Sequence, residues 1–504
     1  MSEIVERFER IRRDSPNRSL IHLPAAGASL TAEDIWNASL RQRAQLEALG
    51  LGLGLGSGHD NDHLVISAAG NRPGAVPLWL ACRSLGVALM PVDAGTPTAE
   101  IAELARRFGA TIAILPSLTA GLEALGIATP FESGLVAVGL MDVTPAPQIY
   151  RGAAALRVTS GSTGLPRATF TREAQLVEDT VHITMAMDIR PQDCQIAAIP
   201  ISHAYGLGNL VMPLLLQGTS IVLREAFIPQ QLHADATKYE ARVFPGVPFM
   251  FAHFANNPDA MAWPRGLRTL ISAGAPLDPV MANAFARTFG VKIHSFYGTS
   301  ETGGISFDDS SDIDEVATVG RALPGVTITL RPEDDEEAAP IDGGRVHVAG
   351  DAVSSGYAGQ APTDEEFTDG GFLTSDFGRF DARHRLILTG RASSFINVAG
   401  KKIQPEEVEQ VLRSMRGVED VRVLGVADAV RGQQVVACVV THGHGVTAPE
   451  IRKFCGSRLA AHKIPRTIVW LERIPLTERG KTDRAKLDSL VRAYFDRTAE
   501  SGVL

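Results

Sequence analysis

The chain has 504 residues, of which 45% are hydrophobic and 21% charged, an ordinary globular composition that excludes a disordered protein and predicts about three domains or subdomains. Asp and Glu number 57 and Lys and Arg number 48, so the net charge is −9. This acidic excess argues against a general nucleic-acid-binding protein, because the phosphate backbone favours basic surfaces, but it leaves room for a local basic pocket for a small anion.

The first predicted elements are two helices. Ile4, Phe8 and Ile11 fall three or four residues apart, so they share one face of a short amphipathic helix. This charged N-terminal segment lacks the apolar core of a signal peptide. Thr31 and Asp34 have the spacing of a capping box, which predicts that a second helix begins near Thr31.

The next segment, residues 49–58, has glycine at alternate positions and predicts a flexible connector. Its glycines lack the G-x-G-x-x-G offsets of a dinucleotide-binding loop. Beyond residue 63, helical stretches alternate with apolar strand candidates, which are HLVISAAG, VALMPVD, IAAIPI, SIVL, RTLISAG and VKIHSFYG. This alternation is typical of a parallel or mixed sheet that is covered by helices on both faces.

The last third of the chain predicts a separate small unit. The acidic run at 333–337 lies between the strand-like segments TITL and RVHVAG, and it predicts a solvated hairpin loop. The composition changes near residue 390. The remaining residues combine strands with the helical segments PEEVEQVLRSM and APEIRKFCGSRLA, which predicts an α+β unit large enough to have its own core.

The cysteines and the hydropathy exclude two further classes of protein. Cys82, Cys194, Cys438 and Cys455 are scattered and form no C-x-x-C pair, which argues against a disulfide framework and against a zinc ribbon. No apolar run approaches the roughly 20 residues that cross a bilayer. We therefore expect a soluble cytoplasmic protein without a membrane span.

The segment TSGSTG, from Thr159 to Gly164, carries the strongest chemical signal in the chain. Its glycines let the backbone approach a ligand, its successive N–H groups can form an anion nest, and its hydroxyls add donors. Arg167 follows and can hold a polyphosphate through its guanidinium fork. By itself the segment is either a phosphate-binding loop or a polar surface turn. It fits neither the Walker loop nor the hydrolase nucleophile elbow.

TSGSTGLPR resembles the phosphate-binding loop of the adenylate-forming enzymes, the superfamily of acyl- and aryl-CoA synthetases, luciferases and peptide-synthetase adenylation domains. Five further segments resemble motifs of that superfamily, in the same order. They are residues 272–276 (SAGAP), 297–302 (YGTSET), 374–376 (TSD), 390–407 and 475–484. The resemblance covers roughly residues 20–490 and is most like the acyl- and aryl-CoA synthetases.

The resemblance implies a fold class and a domain organisation. The fold is α/β, with a large N-terminal domain of mixed sheets covered by helices and a small β-rich subdomain. This domain, residues 1–390, binds ATP and the carboxylate. A small mobile α+β C-terminal domain, residues 391–504, carries the catalytic lysine and swings about a hinge at 390–393 between two half-reactions.

The resemblance also assigns most motif residues to ATP. Tyr297 is expected to stack on adenine, and Asp376 and Arg391 to hold the ribose. Glu301 is the expected ligand of Mg²⁺, a hard cation that a single carboxylate and the nucleotide phosphates suffice to bind. The predicted nucleotide-binding residues are Thr159, Ser160, Gly161, Ser162, Thr163, Gly164, Arg167, Gly274, Ala275, Pro276, Tyr297, Gly298, Thr299, Ser300, Asp376 and Arg391.

Lys481 is the predicted catalytic cation. The implied reaction joins a carboxylate to the α-phosphate of ATP, and a lysine that bridges both anions reduces their repulsion and stabilises the charge of the transition state. Thr163, His203 and Glu301 complete the predicted catalytic set. For Lys481, His203 and Glu301 a purely structural role would be the ordinary interpretation if the motif stood alone.

His203 lies where acyl- and aryl-CoA synthetases have a histidine at the border of the carboxylate pocket. No acid that would hold a substrate amino group is recognisable, so a plain fatty or aryl acid is expected. The predicted substrate-binding residues are His203, Phe244, Gly246, Val247 and Gly298. The apolar composition of residues 244–251 is equally consistent with a buried core segment.

Four positions depart from the pattern of the superfamily. Arg167 stands where Lys is usual, and the two cations differ in reach and hydration. Ala168 and Ser375 each replace a common Gly. Ser393 replaces the Asp or Lys that is usual at the hinge, which affects the expected rate of domain rotation but not the chemistry.

The expected function is ATP-dependent activation of a fatty or aryl acid to acyl-AMP, with pyrophosphate release, followed by transfer to the thiol of CoA. The expected cofactors and partners are ATP, Mg²⁺, CoA and a small carboxylic acid. One alternative is a stand-alone adenylating enzyme that loads the phosphopantetheine of an acyl carrier protein. A nucleotide-binding module without catalysis is disfavoured by the intact Lys481, Glu301 and Asp376. The sequence leaves open the acid, the pathway and the oligomeric state, with a homodimer as one option.

Overall fold

The computed structural model describes the chain except residues 1, 52–63, 118–120, 142, 144–149, 151, 161–165, 258–262, 314, 316–317, 333–342, 360–365, 392–395, 399–400, 404, 429–431, 442–444, 460–462, 478–481 and 501–504. The chain divides into two compact units. The first comprises Met1–Ile328 and Val348–Phe372, and the second comprises Thr329–His347 and Leu373–Leu504. The predicted acidic loop at 333–337, most of the predicted connector at 49–58 and residues 392–393 of the predicted hinge lie outside the described residues. The predicted domain boundary at residue 390 stays a prediction.

Helices occur in both units, and they are named here in chain order. In the first unit they are α1 (Glu3–Asp14), α2 (Ala32–Ala48), α3 (Ala75–Ser84), α4 (Thr98–Phe108), α5 (Glu173–Ala186), α6 (Ala204–Gly206), α7 (Met212–Gln217), α8 (Pro229–Lys238), α9 (Pro248–Ala255) and α10 (Pro279–Phe289). In the second unit they are α11 (Pro405–Arg413), α12 (Ala448–Gly456) and α13 (Arg484–Glu500). None of these helices, within the part of the chain described, is both long and apolar enough to cross a membrane.

The strands follow the same order along the chain. They are β1 (Ser19–Leu23), β2 (Ala28–Thr31), β3 (Leu64–Ser67), β4 (Ala88–Pro91), β5 (Ile112–Pro116), β6 (Gly126–Phe131), β7 (Leu135–Leu140), β8 (Ala153–Ser160), β9 (Pro166–Arg172), β10 (Cys194–Ala197), β11 (Ser220–Leu223), β12 (Val243–Gly246), β13 (Thr269–Ser272), β14 (Ile293–Thr299), β15 (Gly303–Phe307), β16 (Arg321–Ala322), β17 (Thr327–Arg331), β18 (Gly344–Ala349), β19 (Phe367–Thr368), β20 (Gly371–Phe380), β21 (Leu386–Arg391), β22 (Ile396–Val398), β23 (Lys401–Ile403), β24 (Val418–Asp428), β25 (Gly432–Thr441) and β26 (Thr467–Trp470).

The first two helices form as their sequences predict. Ile4 and Phe8 of α1 are fully buried, so the apolar face of this helix packs into the core. At the start of α2, the Asp34 backbone N–H donates to the Thr31 hydroxyl and the Thr31 N–H donates to the Asp34 carboxylate. This capping box satisfies two N–H groups that have no partner within the helix, and the bonds from Thr31 lower the pKa of Asp34.

Two large mixed sheets form the framework of the first unit. One has the strand order β6-β7-β5-β3-β4-β8-β9 and the other the order β16-β15-β14-β13-β12-β10-β11-β1-β2. Their central strands are parallel, with helices between them, and strands such as β3 and β11 have every residue buried. Continuous apolar runs are typical of such strands because both faces of the sheet are covered. The predicted strand and helix alternation is therefore confirmed.

A buried amide connects the two large sheets. The Asn71 side chain, in the loop after β3, donates to the carbonyls of Ile199 and Arg224, both at 2.9 Å, and accepts from the Ile201 N–H at 2.9 Å. Ile199 and Ile201 follow β10 of the other sheet. Asn71 therefore fixes the path of the segment that leads to His203.

The second unit contains two sheets of its own. β18 lies between β17 and β20, and β21 pairs with β20. The other sheet has the order β23-β22-β25-β24, with β26 parallel to β25. Apolar side chains of this sheet, of α11 and of α12 form a core of their own. The predicted strands and helices of the C-terminal segment are therefore confirmed.

The cysteines behave as the scattered pattern predicts. All four are buried and unpaired. Burial raises the pKa of Cys82 and of Cys438 to about 12, so both thiols are protonated at neutral pH.

Candidate active site

The parallel strands of the second large sheet place several predicted residues along one edge. β10, β12, β13 and β14 run in the same direction, so their carboxyl ends meet at the same edge of the sheet. His203, Val247, Gly274 and Glu301 each follow one of these ends. This edge is where open α/β sheets generally bind their ligands.

Glu301 lies in the tight turn between β14 and β15. The Thr299 hydroxyl accepts from the Glu301 N–H at 3.2 Å and from the Thr302 N–H at 3.3 Å. The Ser354 N–H donates to the Glu301 carbonyl at 2.7 Å. The backbone of Glu301 is therefore held from both sides. Before the turn, a Cβ at Gly298 would lie 2.6 Å from the Gly303 carbonyl oxygen, so this close approach needs glycine.

The Glu301 carboxylate is held by a tyrosine that the sequence analysis did not single out. The Tyr357 hydroxyl donates to Glu301 Oε1 at 3.0 Å. Burial, followed by the nearby Glu301 and Glu366 carboxylates, raises the pKa of Tyr357 above its usual range, so the hydroxyl stays protonated. The Tyr357 ring lies under the Arg167 guanidinium, whose carbon is 4.0 Å from the ring centroid. Arg167 Nη1 in turn donates to Glu366 Oε2 at 2.8 Å.

A buried polar network lies beneath this turn. Arg157 is 4% exposed, and its Nη2 donates to the Thr171 and Ser354 hydroxyls at 3.2 Å. Burial lowers the pKa of Arg157, and the charges of Asp179 and Glu301 oppose that shift. Because the same Ser354 binds the Glu301 carbonyl, the network supports the turn from within the core. Nothing in the local sequence pattern distinguishes Arg157 from a surface residue of a strand.

The His203 imidazole faces an acid. His203 immediately precedes α6, and its Nε2 lies 2.9 Å from Asp93 Oδ1, an ion-pair distance. The Ser202 hydroxyl donates to the same Asp93 oxygen at 3.1 Å. The His203 side chain is 39% exposed and that of Asp93 is 22% exposed, so both remain accessible to a small ligand. Asp93 ends the predicted strand segment VALMPVD, which was the available signal for it.

The remaining predicted substrate residues occupy two environments. Gly246 ends β12, and Val247 precedes α9. Phe244 is fully buried, and its ring packs between those of Phe227 and Phe251. A direct contact between the Phe244 side chain and a substrate is therefore not favoured by this arrangement. The assignments of these residues stay predictions.

The predicted adenine-binding residues lie beside the turn and after β13. Tyr297 is 7% exposed and belongs to β14, with Gly298 and Thr299 after it and Ser300 at the turn. Gly274 has φ +81°, a left-handed conformation that favours glycine, and Ala275 and Pro276 follow it. These residues continue the same sheet edge, and their contacts with a base stay predictions.

Asp376 and Arg391 belong to the second unit and lie opposite each other. They are paired in register on β20 and β21, and Arg391 Nε donates to Asp376 Oδ1. The Thr374 hydroxyl accepts from the Asp376 N–H at 3.1 Å. A carboxylate and a guanidinium side by side offer an acceptor and a donor to a pair of vicinal hydroxyls. The predicted ribose pair is thus adjacent, and its ligand stays a prediction.

Several predicted residues lie outside the described part of the chain. They are Gly161, Ser162, Thr163, Gly164, Ser393 and Lys481. Thr159 and Ser160 end β8, and Thr159 pairs in register with Arg167 of β9. Among the described residues, the buried Thr159 hydroxyl has no hydrogen-bond partner. A buried hydroxyl without a partner is an available donor for a phosphate oxygen.

The residues present fit a magnesium ion that is bound chiefly through a nucleotide. Among the described residues, no group of three or more His, Cys, Asp or Glu side chains could hold a metal ion without other ligands. Glu301 offers one carboxylate on the edge that carries the predicted nucleotide contacts. This donor set suits Mg²⁺, which usually takes one or two carboxylates together with waters and phosphates.

Two family models match the chain and identify its class. Residues 37–358 match the AMP-binding enzyme model, and residues 407–481 match the model of the AMP-binding enzyme C-terminal domain. Because these matches cover more than half of the chain, it belongs to the AMP-binding enzyme family. The family predicted from the six motifs is therefore confirmed.

Among similar proteins, the sulfoacetate–CoA ligase of Cupriavidus necator is 29% identical over 340 residues, which are 66% of this chain and 66% of the ligase. The feruloyl-CoA synthase of an Amycolatopsis species is 27% identical over 420 residues, which are 82% of this chain and 85% of the synthase. The match to the first relative thus spans about two thirds of its length, whereas the match to the second spans most of it.

Solved structures of two enzymes share the fold. MatB from Rhodopseudomonas palustris bound to ATP has a TM-score of 0.82 at 23% identity, covering 97% of this chain and 98% of MatB. The O-succinylbenzoate coenzyme A synthetase of Bacillus subtilis, in complex with ATP and a magnesium ion, has a TM-score of 0.79 at 23% identity, covering 96% and 99%. The predicted α/β fold class is therefore confirmed.

Proposed function

We propose that this chain is an AMP-forming acid–CoA ligase. It activates a fatty or aryl acid with ATP and then transfers the acyl group to the thiol of CoA. The observation that carries the proposal is the sheet edge on which Glu301 and His203 both follow parallel strands, with Asp93, which follows β4 of the other large sheet, 2.9 Å from His203. One group suits a cation and the other a carboxylate, and the reaction needs both close to one nucleotide.

The names of the relatives support CoA as the acceptor. Curated relatives are CoA ligases or synthases for sulfoacetate, ferulate and 2-succinylbenzoate. They agree with the acid–thiol ligase predicted from the sequence, and they do not favour the alternative of carrier-protein loading. Because their acids differ widely, the acid taken by this chain is proposed only as a class.

The first half-reaction forms a bond between a carboxylate oxygen and the α-phosphorus of ATP. The bond from that phosphorus to the bridging oxygen breaks, and pyrophosphate leaves. Mg²⁺, when bound, neutralises phosphate charge and orients the triphosphate. Glu301 would hold it, and the 159–164 segment with Arg167 would hold the phosphates. His203, held at 2.9 Å from Asp93, would orient the carboxylate.

Lys481 is the proposed bridge between the two anions, on the strength of its sequence motif. Its charge would lie between the carboxylate and the α-phosphate, where negative charge is greatest in the transition state. In the second half-reaction, the CoA sulfur attacks the acyl carbonyl as its proton is lost to solvent. The bond between the acyl carbon and the AMP oxygen breaks, which yields acyl-CoA and AMP. A swing of residues 391–504 about 390–393 between these steps remains part of the proposal.

A panel of acids tests this function. ATP–pyrophosphate exchange should occur with one or more fatty or aryl acids, and AMP release should then depend on CoA and not on a holo carrier protein. Lys481→Ala should lower exchange by about 10²–10³-fold, because one electrostatic contact of the transition state is lost. Binding of ATP by the variant should be largely retained. If no acid of the panel supported exchange, the proposed function would be refuted. If Lys481→Ala exchanged as fast as the wild type, the catalytic role of Lys481 would be refuted.

A further inference from the structure

We propose that Tyr357, clamped by Arg167 and Glu366, is the positioning residue that orients the Glu301 carboxylate toward the metal of Mg²⁺·ATP. This inference rests on the proposed function, in which Glu301 is the protein's ligand to Mg²⁺. It also gives Arg167 a role beyond the predicted contact with phosphate, since its guanidinium acts on Glu301 through the tyrosine ring.

The hydrogen bond from Tyr357 selects one orientation of the carboxylate. The last torsion of a glutamate side chain is broad, so a carboxylate held only by its backbone rotates easily. The Tyr357 hydroxyl, 3.0 Å from Glu301 Oε1, removes that freedom. Among the described residues, Oε2 makes no hydrogen bond, so this second oxygen is available to a metal. The turn backbone is already fixed by Thr299 and Ser354.

Tyr357 is itself held in place against β9, the strand that follows the phosphate-binding segment. It forms an antiparallel bridge with Thr169 of β9, and the Ala358 N–H donates to the Ala168 carbonyl at 2.7 Å. The side chain is buried, and its ring meets that of Phe367 edge-on with centroids 5.3 Å apart. The ring therefore has little room to turn.

Arg167, held by Glu366, completes the clamp by stacking on the ring. A guanidinium 4.0 Å from a ring centroid is a favourable cation–π contact. The 2.8 Å bond to Glu366 holds the guanidinium in place. A planar guanidinium can stack and pair at the same time, which a lysine ammonium does less well. This gives a physical account of why Arg stands where Lys is usual in the superfamily.

The chemistry of the clamp suits a metal ligand. If Arg167 donated directly to Glu301, it would neutralise the carboxylate and compete with the cation. A neutral hydroxyl instead orients the carboxylate and leaves its negative charge in place, while the charge of Arg167 is paired with Glu366. Outer-shell hydrogen bonds of this kind commonly control metal affinity.

Tyr357→Phe tests the proposal because it removes the hydroxyl and keeps the ring. The probe is Mn²⁺, whose binding to the full chain in the presence of ATP is measured by electron paramagnetic resonance. The variant should bind Mn²⁺ about 10- to 100-fold more weakly. The Mg²⁺ concentration that half-saturates pyrophosphate exchange should rise in parallel, with kcat recovering at high Mg²⁺. A general loss of structure would not raise the Mg²⁺ requirement while leaving kcat at high Mg²⁺ intact.

The matched control is Tyr239→Phe, which removes a hydroxyl from a tyrosine stacked on His22. It should leave Mn²⁺ affinity unchanged. Glu366→Gln should weaken Mn²⁺ binding in the same direction by a smaller factor, and Arg167→Lys should retain more affinity than Arg167→Ala.

A folded, active Tyr357→Phe protein with Mn²⁺ affinity within about twofold of wild type would overturn the proposal. If that variant does not fold, unchanged affinity in Glu366→Gln would overturn it instead. A wild-type protein with neither ATP-dependent Mn²⁺ binding nor pyrophosphate exchange would refute the proposed function, a result distinct from failure of the clamp alone.

Discussion

Glu301 and His203 follow parallel strands of one sheet, yet the group that holds the Glu301 side chain is neutral and the group that faces His203 is acidic. The Glu301 carboxylate accepts from a neutral hydroxyl, that of Tyr357. The His203 imidazole instead faces the carboxylate of Asp93 at 2.9 Å. A neutral partner preserves the negative charge of a group that is to meet a cation. An acidic partner at ion-pair distance instead orients the ring that is to meet an anion.

The two supports also differ in how they are anchored. Tyr357 is fixed by backbone pairing with β9 and by the stacked Arg167. The His203 segment is fixed by Asn71, which binds backbone groups on both sides of Pro200. The first anchor therefore belongs to the sheet of the phosphate-binding segment, and the second joins the two large sheets. Substitutions near Glu301 should therefore change the dependence on Mg²⁺ and ATP, whereas substitutions near His203 should change the KM for the carboxylic acid.

The largest effect is expected at the metal side. Glu301→Gln keeps the shape of the side chain but removes the charge that would attract Mg²⁺. We expect kcat/KM for pyrophosphate exchange to fall by about 10²-fold or more, because a metal stabilises charge in the transition state by several kcal/mol. The fall should exceed that of Tyr357→Phe measured in parallel. Equal activity at low Mg²⁺ would remove Glu301 from the metal site.

On the acid side the expected effect is smaller. Asp93→Asn removes the anionic partner of His203 and keeps a side chain of similar size. We expect the KM for the carboxylic acid to rise about 10-fold, because the imidazole loses the charged contact that holds it in place. The KM for ATP should stay within experimental error. If only the KM for ATP changed, Asp93 would support nucleotide binding and not binding of the acid.

The smallest effect on chemistry, but a clear one on stability, is expected at Asn71. Asn71→Ala leaves buried carbonyl and N–H groups without partners, which costs about 1–3 kcal/mol in the free energy of unfolding. Urea unfolding followed by circular dichroism measures this loss. Thr31→Ala is a useful comparison, because loss of a helix cap typically costs about 1 kcal/mol and Thr31 is remote from the His203 segment in sequence. If the Asn71 variant were as stable as the wild type while the Thr31 variant lost stability, the amide would not be the anchor.

The fold was largely predictable because each prediction rested on a local pattern. Ile4 and Phe8 have helical spacing, Thr31 and Asp34 have capping-box spacing, and fully apolar runs such as residues 64–67 form buried parallel strands. These patterns depend on a few neighbouring residues. The structure therefore agrees with them.

The site was predictable only where its residues fall in contiguous motifs. Glu301, Asp376 and Arg391 lie within such motifs. Tyr357 is 56 residues from Glu301 in the chain, and Asp93 is more than 100 residues before its partner. Such pairs are created by strand pairing and by the meeting of strand ends, which no local pattern encodes.

Isotope transfer from the acid to AMP tests the central claim most directly. The wild-type protein is incubated with ATP, Mg²⁺, CoA and a carboxylic acid labelled with ¹⁸O in both oxygens, and the AMP is analysed by mass spectrometry. Attack of the carboxylate on the α-phosphorus predicts that the AMP formed carries a single ¹⁸O atom from the acid. Unlabelled AMP, or release of ADP and phosphate in place of AMP and pyrophosphate, would contradict the account.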